Sequence, residues 1–130
     1  MYGGTASIIF PEPGCDVEEI LNSVGSRQGC PWGSFLYCLS IHASLVRLAA
    51  EFPDLLILAY CDDVHIVGPP ARAIMAYHRW ASLYHSELQG ELRNDKGKVF
   101  SPSVAPSALY DAGLPRDMPV VNDGTRILGV

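Results

Sequence analysis

The chain has 130 residues, 48% of them hydrophobic and 18% charged, with a formal net charge of −5. That length suits one compact domain over residues 1–130, and the apolar share suits a sizeable core, which excludes disorder for most of the chain. The acidic balance argues against nucleic-acid binding through this chain's own surface charge, because phosphate affinity comes from Lys and Arg.

In chain order, Ala6 to Phe10 reads as a strand, broken by Pro11-Glu12-Pro13-Gly14, with Ile20 to Val24 as its returning partner. Gly25 to Gly33 is irregular and glycine-rich. Ser34 is placed to cap a helix whose apolar positions recur at Phe35, Leu39, His42, Val46 and Ala49, widened by Leu36, Leu45, Leu48 and Phe52. So broad an apolar surface implies burial on most sides, and Pro53 stops the helix. The run from Leu55 to Gly68 then places two apolar stretches of strand length around Asp62-Asp63. Pro69-Pro70 opens a second helix with a stripe at Ile74, Tyr77, Ala81, Tyr84 and Leu88, ended by Gly90. Val99-Phe100 reads as a short strand and 101–116, with three prolines, as a loop. Met118 to Val121, Asn122-Asp123-Gly124 and Thr125 to Val130 read as a second hairpin on an Asp-Gly turn. This order predicts an α+β fold, an antiparallel sheet with helices packed on one face.

The four cysteines, Cys15, Cys30, Cys38 and Cys61, lack the short spacings of a zinc knuckle or a redox dithiol, and read as small buried hydrophobes. The first residues carry neither a basic region nor a long apolar run, so no secretory leader is read there. The apolar region from Phe35 to Phe52 is interrupted by Ser40, His42, Ser44 and Arg47, and falls short of a membrane span. An intracellular protein with no membrane partner is the expectation.

Asp62 and Asp63 are the most informative residues. A strand, a tight carboxylate turn and a returning strand would hold both on a hairpin tip. Adjacent carboxylates resist joint ionisation unless a cation lies between them. Magnesium takes oxygen ligands while keeping several waters, and so suits such a tip, with manganese as a substitute. The competing reading is an ordinary turn, in which Asp bonds nearby backbone amides. A second segment, Gly25-Ser26-Arg27-Gln28-Gly29-Cys30-Pro31-Trp32-Gly33, forms a loop that another molecule can approach closely. Cys61, Asp63 and His65 would share one face of an unbroken strand, a partial zinc set that a turn at 62–63 would break. His42 reads as a satisfied core or boundary histidine, and Trp32 and Trp80 as packing residues.

Gly25-x-x-Gln28-Gly29-x-Pro31-x-Gly33, then Tyr60-x-Asp62-Asp63, then an amphipathic helix and Lys96, resembles the palm of reverse transcriptases, RNA-directed DNA polymerases, of retrotransposons without long terminal repeats. The resemblance covers nearly the whole chain. It implies that Asp62 is a catalytic metal ligand and Asp63 its acidic neighbour. It implies that Tyr60 lies near the primer end or incoming nucleotide, and that Gln28 and Gly29 touch the template and nucleotide pocket. Lys96 would lie near the nucleotide phosphates, with Lys98 as the second candidate, and Ile127-Leu128-Gly129 would start the hairpin that supports the primer. Cys30 stands where the family commonly has an acidic residue, and Ser34 where it has proline. The implied partners are an RNA or DNA template with primer and deoxynucleoside triphosphates, and the implied cofactor is magnesium. The family's first catalytic aspartate lies on a strand upstream of the Gln-Gly segment, and Asp16 and Glu18 stand in the wrong context to replace it. Two ions about 4 Å apart need carboxylates from both strands. The chain by itself is therefore expected not to polymerise, and to present an unpaired sheet edge prone to aggregation. The alternative is a non-catalytic retroelement remnant or interaction module keeping the fold.

Overall fold

A computed structural model describes residues 6–10, 18–22 and 30–124. The chain divides into two compact units, Met1–Tyr37 and Cys38–Val130. In the first, strands β1 (Ala6–Phe10) and β2 (Glu18–Asn22) pair antiparallel, with Ile8 opposite Ile20. The pairing agrees with the sequence reading, with β2 starting two residues earlier than expected.

The second unit holds the rest of the fold. Helix α1 (Gly33–Glu51) begins in the first unit and runs mostly through the second. Its buried positions are Ile41, Ser44 and Leu48, spaced three and four apart as one helical stripe requires. Here the structure corrects the sequence reading. The stripe through Phe35, Leu39, His42, Val46 and Ala49 is exposed, with Leu39 and Val46 both more than half accessible. A helix apolar on every side gives periodicity no face to choose, and tertiary pairing chose the face that carries Ser44. By length and composition α1 could also cross a membrane, the sole such helix among the described residues.

Strands β3 (Leu56–Tyr60) and β4 (Asp63–Val67) form an antiparallel hairpin in which Leu56 faces Val67, Leu58 faces His65 and Tyr60 faces Asp63. Helix α2 (Pro70–Leu88) follows after Gly68-Pro69, with proline in its first turn where the missing N–H costs nothing. Gln89, not Gly90, takes the left-handed position at its C-terminus (φ 54°), and its N–H donates to the His85 carbonyl. Gly90 is needed for a different reason, since a Cβ there would overlap the Tyr84 ring.

Two stripes of α2 are used. Arg72, Ala76, Arg79, Trp80, Leu83 and Glu87 share one flank by helical spacing, and Ala76, Trp80 and Leu83 are buried. Its charged members bond toward α1: Arg72 with Asp54, Arg79 with Glu51, and Glu87 with both Arg47 and Ser44. Because the partners run in opposite order, the two helices lie antiparallel. Arg72 also stacks over the Phe52 ring at 4.8 Å. The other flank carries the expected stripe: Ile74 is buried against Leu109, Leu114 and Met118, with Tyr77, Val99, Val104 and Val120 packed around them.

Beyond α2, a 3₁₀ turn at Asn94–Lys96 leads to β5 (Val99–Phe100). The proline-bearing stretch expected as loop contains a short helix, α3 (Pro106–Asp111). Pro106 opens it rather than breaking it, and Leu109 anchors it in the core. Strand β6 (Val120–Val121) pairs with β5 in parallel, Val99 N–H donating to Pro119 O and Ser101 N–H to Val121 O. A parallel pair requires a crossover, and α3 lies within it. The hairpin expected around Asn122-Asp123-Gly124 has its second half, with Ile127 to Gly129, outside the described residues. The architecture is α+β as expected, with the described strands in three two-stranded ladders.

Candidate functional site

The β3–β4 hairpin forms because two β-favouring runs flank residues suited to a turn. The turn itself is Cys61-Asp62, so Asp63 is the first residue of β4 and not part of the turn. Cys61 has φ 52°, and Asp62 has no positive φ. A positive φ at the first central residue alone is the pattern of a type II′ turn, whose twist matches that of the flanking strands. Glycine is the usual occupant, and an L-residue there carries backbone strain, a feature that clusters at functional sites.

This register sets what the tip presents. Tyr60 and Asp63 are directly opposed, so their side chains share a face, and Asp62 stands in the turn that joins them. Tyr60, Asp62 and Asp63 are all exposed. The same face continues with Leu58 opposite His65 and Leu56 opposite Val67. Leu56, Leu58 and Val67 are each about half accessible, so this side of the hairpin is apolar and open, with two carboxylates at its end. The Cys61 thiol is pushed up by burial and then by the Cys38 thiol, with Asp62 and Asp63 adding to the effect. His65 Nε2 is buried without a hydrogen-bond partner.

The hairpin thus brings together three of the residues singled out in the sequence: Tyr60, Asp62 and Asp63. Lys96 belongs to the 3₁₀ turn beyond α2, next in sequence to an Arg93–Asp95 ion pair of 2.6 Å. Neither Lys96 nor Lys98 forms a salt bridge with Asp62 or Asp63. Gln28 and Gly29 lie outside the described residues. Trp80 is buried as a packing residue should be, whereas Trp32 is 64% exposed and meets only the Phe35 edge among the aromatic rings described. His42 is exposed rather than a core or boundary residue. The alternation of Cys61, Asp63 and His65 is broken because Cys61 is in the turn. Among the described residues no three His, Cys, Asp or Glu side chains are grouped to hold a metal ion. The strain at Cys61 was not legible in the sequence, because Cys-Asp-Asp carries no signal for a left-handed residue.

A separate open pocket of about 390 Å³ is lined by Tyr77, His78, His85, Glu91, Asn94 and Pro115 among others. Its polar groups are largely engaged: Tyr77 donates to Asn94, Asn94 donates to Asp117, and a ring nitrogen of His78 bonds the Gly113 carbonyl at 2.8 Å.

Two adjacent, exposed carboxylates on a strained hairpin tip are hard oxygen donors with open positions around them. This donor set fits a magnesium ion, which binds through one or two carboxylates and keeps its remaining positions for water or phosphate. It does not by itself complete a two-ion clamp.

Comparison with known proteins gives one further fact. Over 70 residues, 54% of this chain, the sequence is 34% identical to the Retrotransposable element SLACS 132 kDa protein of Trypanosoma brucei gambiense. The chain spans 6% of that relative's length. No family model matches the chain. No solved structure matches it.

Proposed function

We propose that this chain is a palm segment of a retroelement RNA-directed DNA polymerase, and that Asp62 and Asp63 supply part of its magnesium site. The observation that carries the reading is the hairpin tip: two exposed carboxylates beside Tyr60, on a chain similar to a retrotransposable-element protein. A bound magnesium ion would neutralise phosphate charge during transfer of a deoxynucleotide to a primer. The chain's own part is positional. The antiparallel ladder fixes where the carboxylates stand, and Tyr60, directly opposite Asp63, offers an aromatic face at the same end. On this reading Gln28, Gly29 and Lys96 serve template and nucleotide, and template, primer and nucleotides are the partners.

Because two carboxylates hold one ion only weakly, the purified chain is expected to bind Mn²⁺ at the tip yet not extend a primer. Paramagnetic broadening by Mn²⁺ should select the amide signals of Tyr60 to Asp63 and vanish in Asp62→Asn. Broadening confined to other acidic residues would sink the proposal. Magnesium-dependent extension by the wild-type chain, abolished in Asp62→Ala, would instead show that the site is complete within these residues.

A second reading has its own support. The net charge of −5 and the lack of a third grouped ligand among the described residues suit a non-catalytic module that keeps the fold. Absence of Mn²⁺ broadening at the tip would favour it.

A further inference from the structure

The open pocket beside α2 has the volume of a small-molecule site, and its walls are already fixed. Tyr77 is bonded to Asn94, Asn94 to Asp117 at 3.1 Å, and His78 to the Gly113 carbonyl at 2.8 Å. Side chains of α2 are thereby tied to the 3₁₀ turn and to the loop after α3. The Tyr77 and His78 rings also meet edge to face, with centroids 5.5 Å apart.

Two lining side chains are uncommitted. Those of Glu91 and His85 have neither a hydrogen bond nor an ion pair among the described residues. Arg93, two residues beyond Glu91, is forked onto Asp95 instead, through Nε at 2.8 Å and Nη2 at 2.6 Å. The carboxylates between α1 and α2 are each met by an arginine: Asp54 by Arg72, Glu51 by Arg79 and Glu87 by Arg47. Glu91 therefore stands in a concave, ring-walled site with no described cation to answer it.

The other groups free for a ligand are mostly acceptors. A carbonyl only accepts, so His78 Nε2 carries the hydrogen that Gly113 receives, and in the neutral ring Nδ1 is left as an acceptor. The Tyr77 hydroxyl gives its hydrogen to Asn94 and keeps a lone pair. Acceptors and π faces around an unanswered carboxylate select a cation that donates in several directions. We propose that this pocket binds an alkylguanidinium, its head forked onto the Glu91 carboxylate against the ring wall and its stem along Ala81 and Pro115. A planar guanidinium suits the site better than an ammonium, because its paired N–H groups match a carboxylate and its weakly hydrated face stacks on rings. The site lies from α2 onward and is independent of whether the hairpin tip carries a metal.

The test titrates the full 130-residue chain with butylguanidinium, butylammonium and neutral butylurea, followed by amide NMR shifts. Butylguanidinium should give saturable shifts at Ala81, His85 and Gly90 to Leu92, with butylammonium weaker and butylurea silent. Glu91→Gln should weaken binding by roughly tenfold or more, the loss of a charge-assisted bond. Glu91 is exposed and its side chain unbonded, so that variant keeps the fold. Asp123→Asn removes one negative charge outside the lining and should leave the affinity unchanged. An acetylated, amidated Gly-Arg-Gly peptide separates two sources of the same chemistry. Affinity at or above that of butylguanidinium assigns an arginine side chain, and exclusion of the peptide assigns a free small molecule. Shifts scattered over acidic residues without saturation would overturn the proposal. So would equal binding of butylurea, or full affinity in Glu91→Gln. The comparison of the three probes on the wild-type chain needs no variant.

Discussion

Replacing Cys61 by glycine and by alanine separates the backbone of the turn from its thiol. Alanine removes the sulfur while leaving a Cβ at φ 52°. Glycine removes the Cβ as well. At an ordinary strand or helix position glycine is the less stable of the two, because it loses more chain entropy on folding. At a left-handed position an L-residue carries a steric cost larger than that entropic penalty. The sign of the glycine-minus-alanine difference therefore reports the conformation of residue 61. The expected advantage of glycine is about fivefold in the folding equilibrium constant, which for a domain of this size is a rise in Tm of roughly 4 °C. Gln89 is the internal reference: it has nearly the same φ, 54°, without a thiol, so Gln89→Gly against Gln89→Ala should give an increment of the same sign and size. The measurement is thermal unfolding followed by far-UV circular dichroism, checked by urea midpoints at constant m-value. If glycine is no better than alanine at 61 while it is better at 89, the strained turn described here is wrong.

Leu48 is fully buried and Val46 more than half exposed, so Leu48→Ala should cost about 2–5 kcal/mol and Val46→Ala less than about 0.5 kcal/mol in urea unfolding. The reverse ranking would restore the other face of α1 as the core. His65→Leu should be neutral or stabilise the fold by about 1 kcal/mol, since it deletes a buried nitrogen without a partner, and a clear loss of stability would reveal a bond at Nε2. The Arg72 and Arg79 guanidiniums hold the Asp54 and Glu51 carboxyls below their ordinary range. A lowered folded-state value favours the ionised form in the fold. The contribution is thus complete above the ordinary carboxylate range and lost as pH falls through and below it. Wild type should lose stability over that window more steeply than a variant with both arginines changed to glutamine, as read from urea midpoints against pH.

Much of this fold can be read from residue pattern. The β3–β4 hairpin follows from two β-favouring runs meeting at acidic turn residues, and α2 from its proline start and its stripe at Ile74, Tyr77, Ala81, Tyr84 and Leu88. What escaped is what long-range contact decides. The second stripe of α2 is hidden in the pattern because charged residues, Arg72, Arg79 and Glu87, flank Ala76, Trp80 and Leu83, and their charges are answered only by residues of α1 and by Asp54 just beyond it. The buried face of α1 is invisible for the converse reason: Ser44 looks like a surface residue until Glu87 accepts its hydrogen bond. Three prolines made 101–116 read as loop, although one of them opens α3. For the site, the pairing of Tyr60 with Asp63 follows once the turn is assigned to Cys61-Asp62. The distribution of Lys96 away from any ion pair with those carboxylates is a tertiary fact that no local pattern encodes.

Helix α2 has protein on two flanks, one tied to α1 and the other to α3 and the short parallel ladder. Detaching either neighbour leaves the helix still gripped by the other. Its amides should therefore exchange with solvent last, at rates set by global opening, while those of α3 and of the hairpin tip exchange through smaller excursions. The carboxylate hairpin joins this slow-exchanging helix through only Gly68 and Pro69. Opening of the hairpin should thus begin at the tip, while its base stays moored to the most persistent element of the unit.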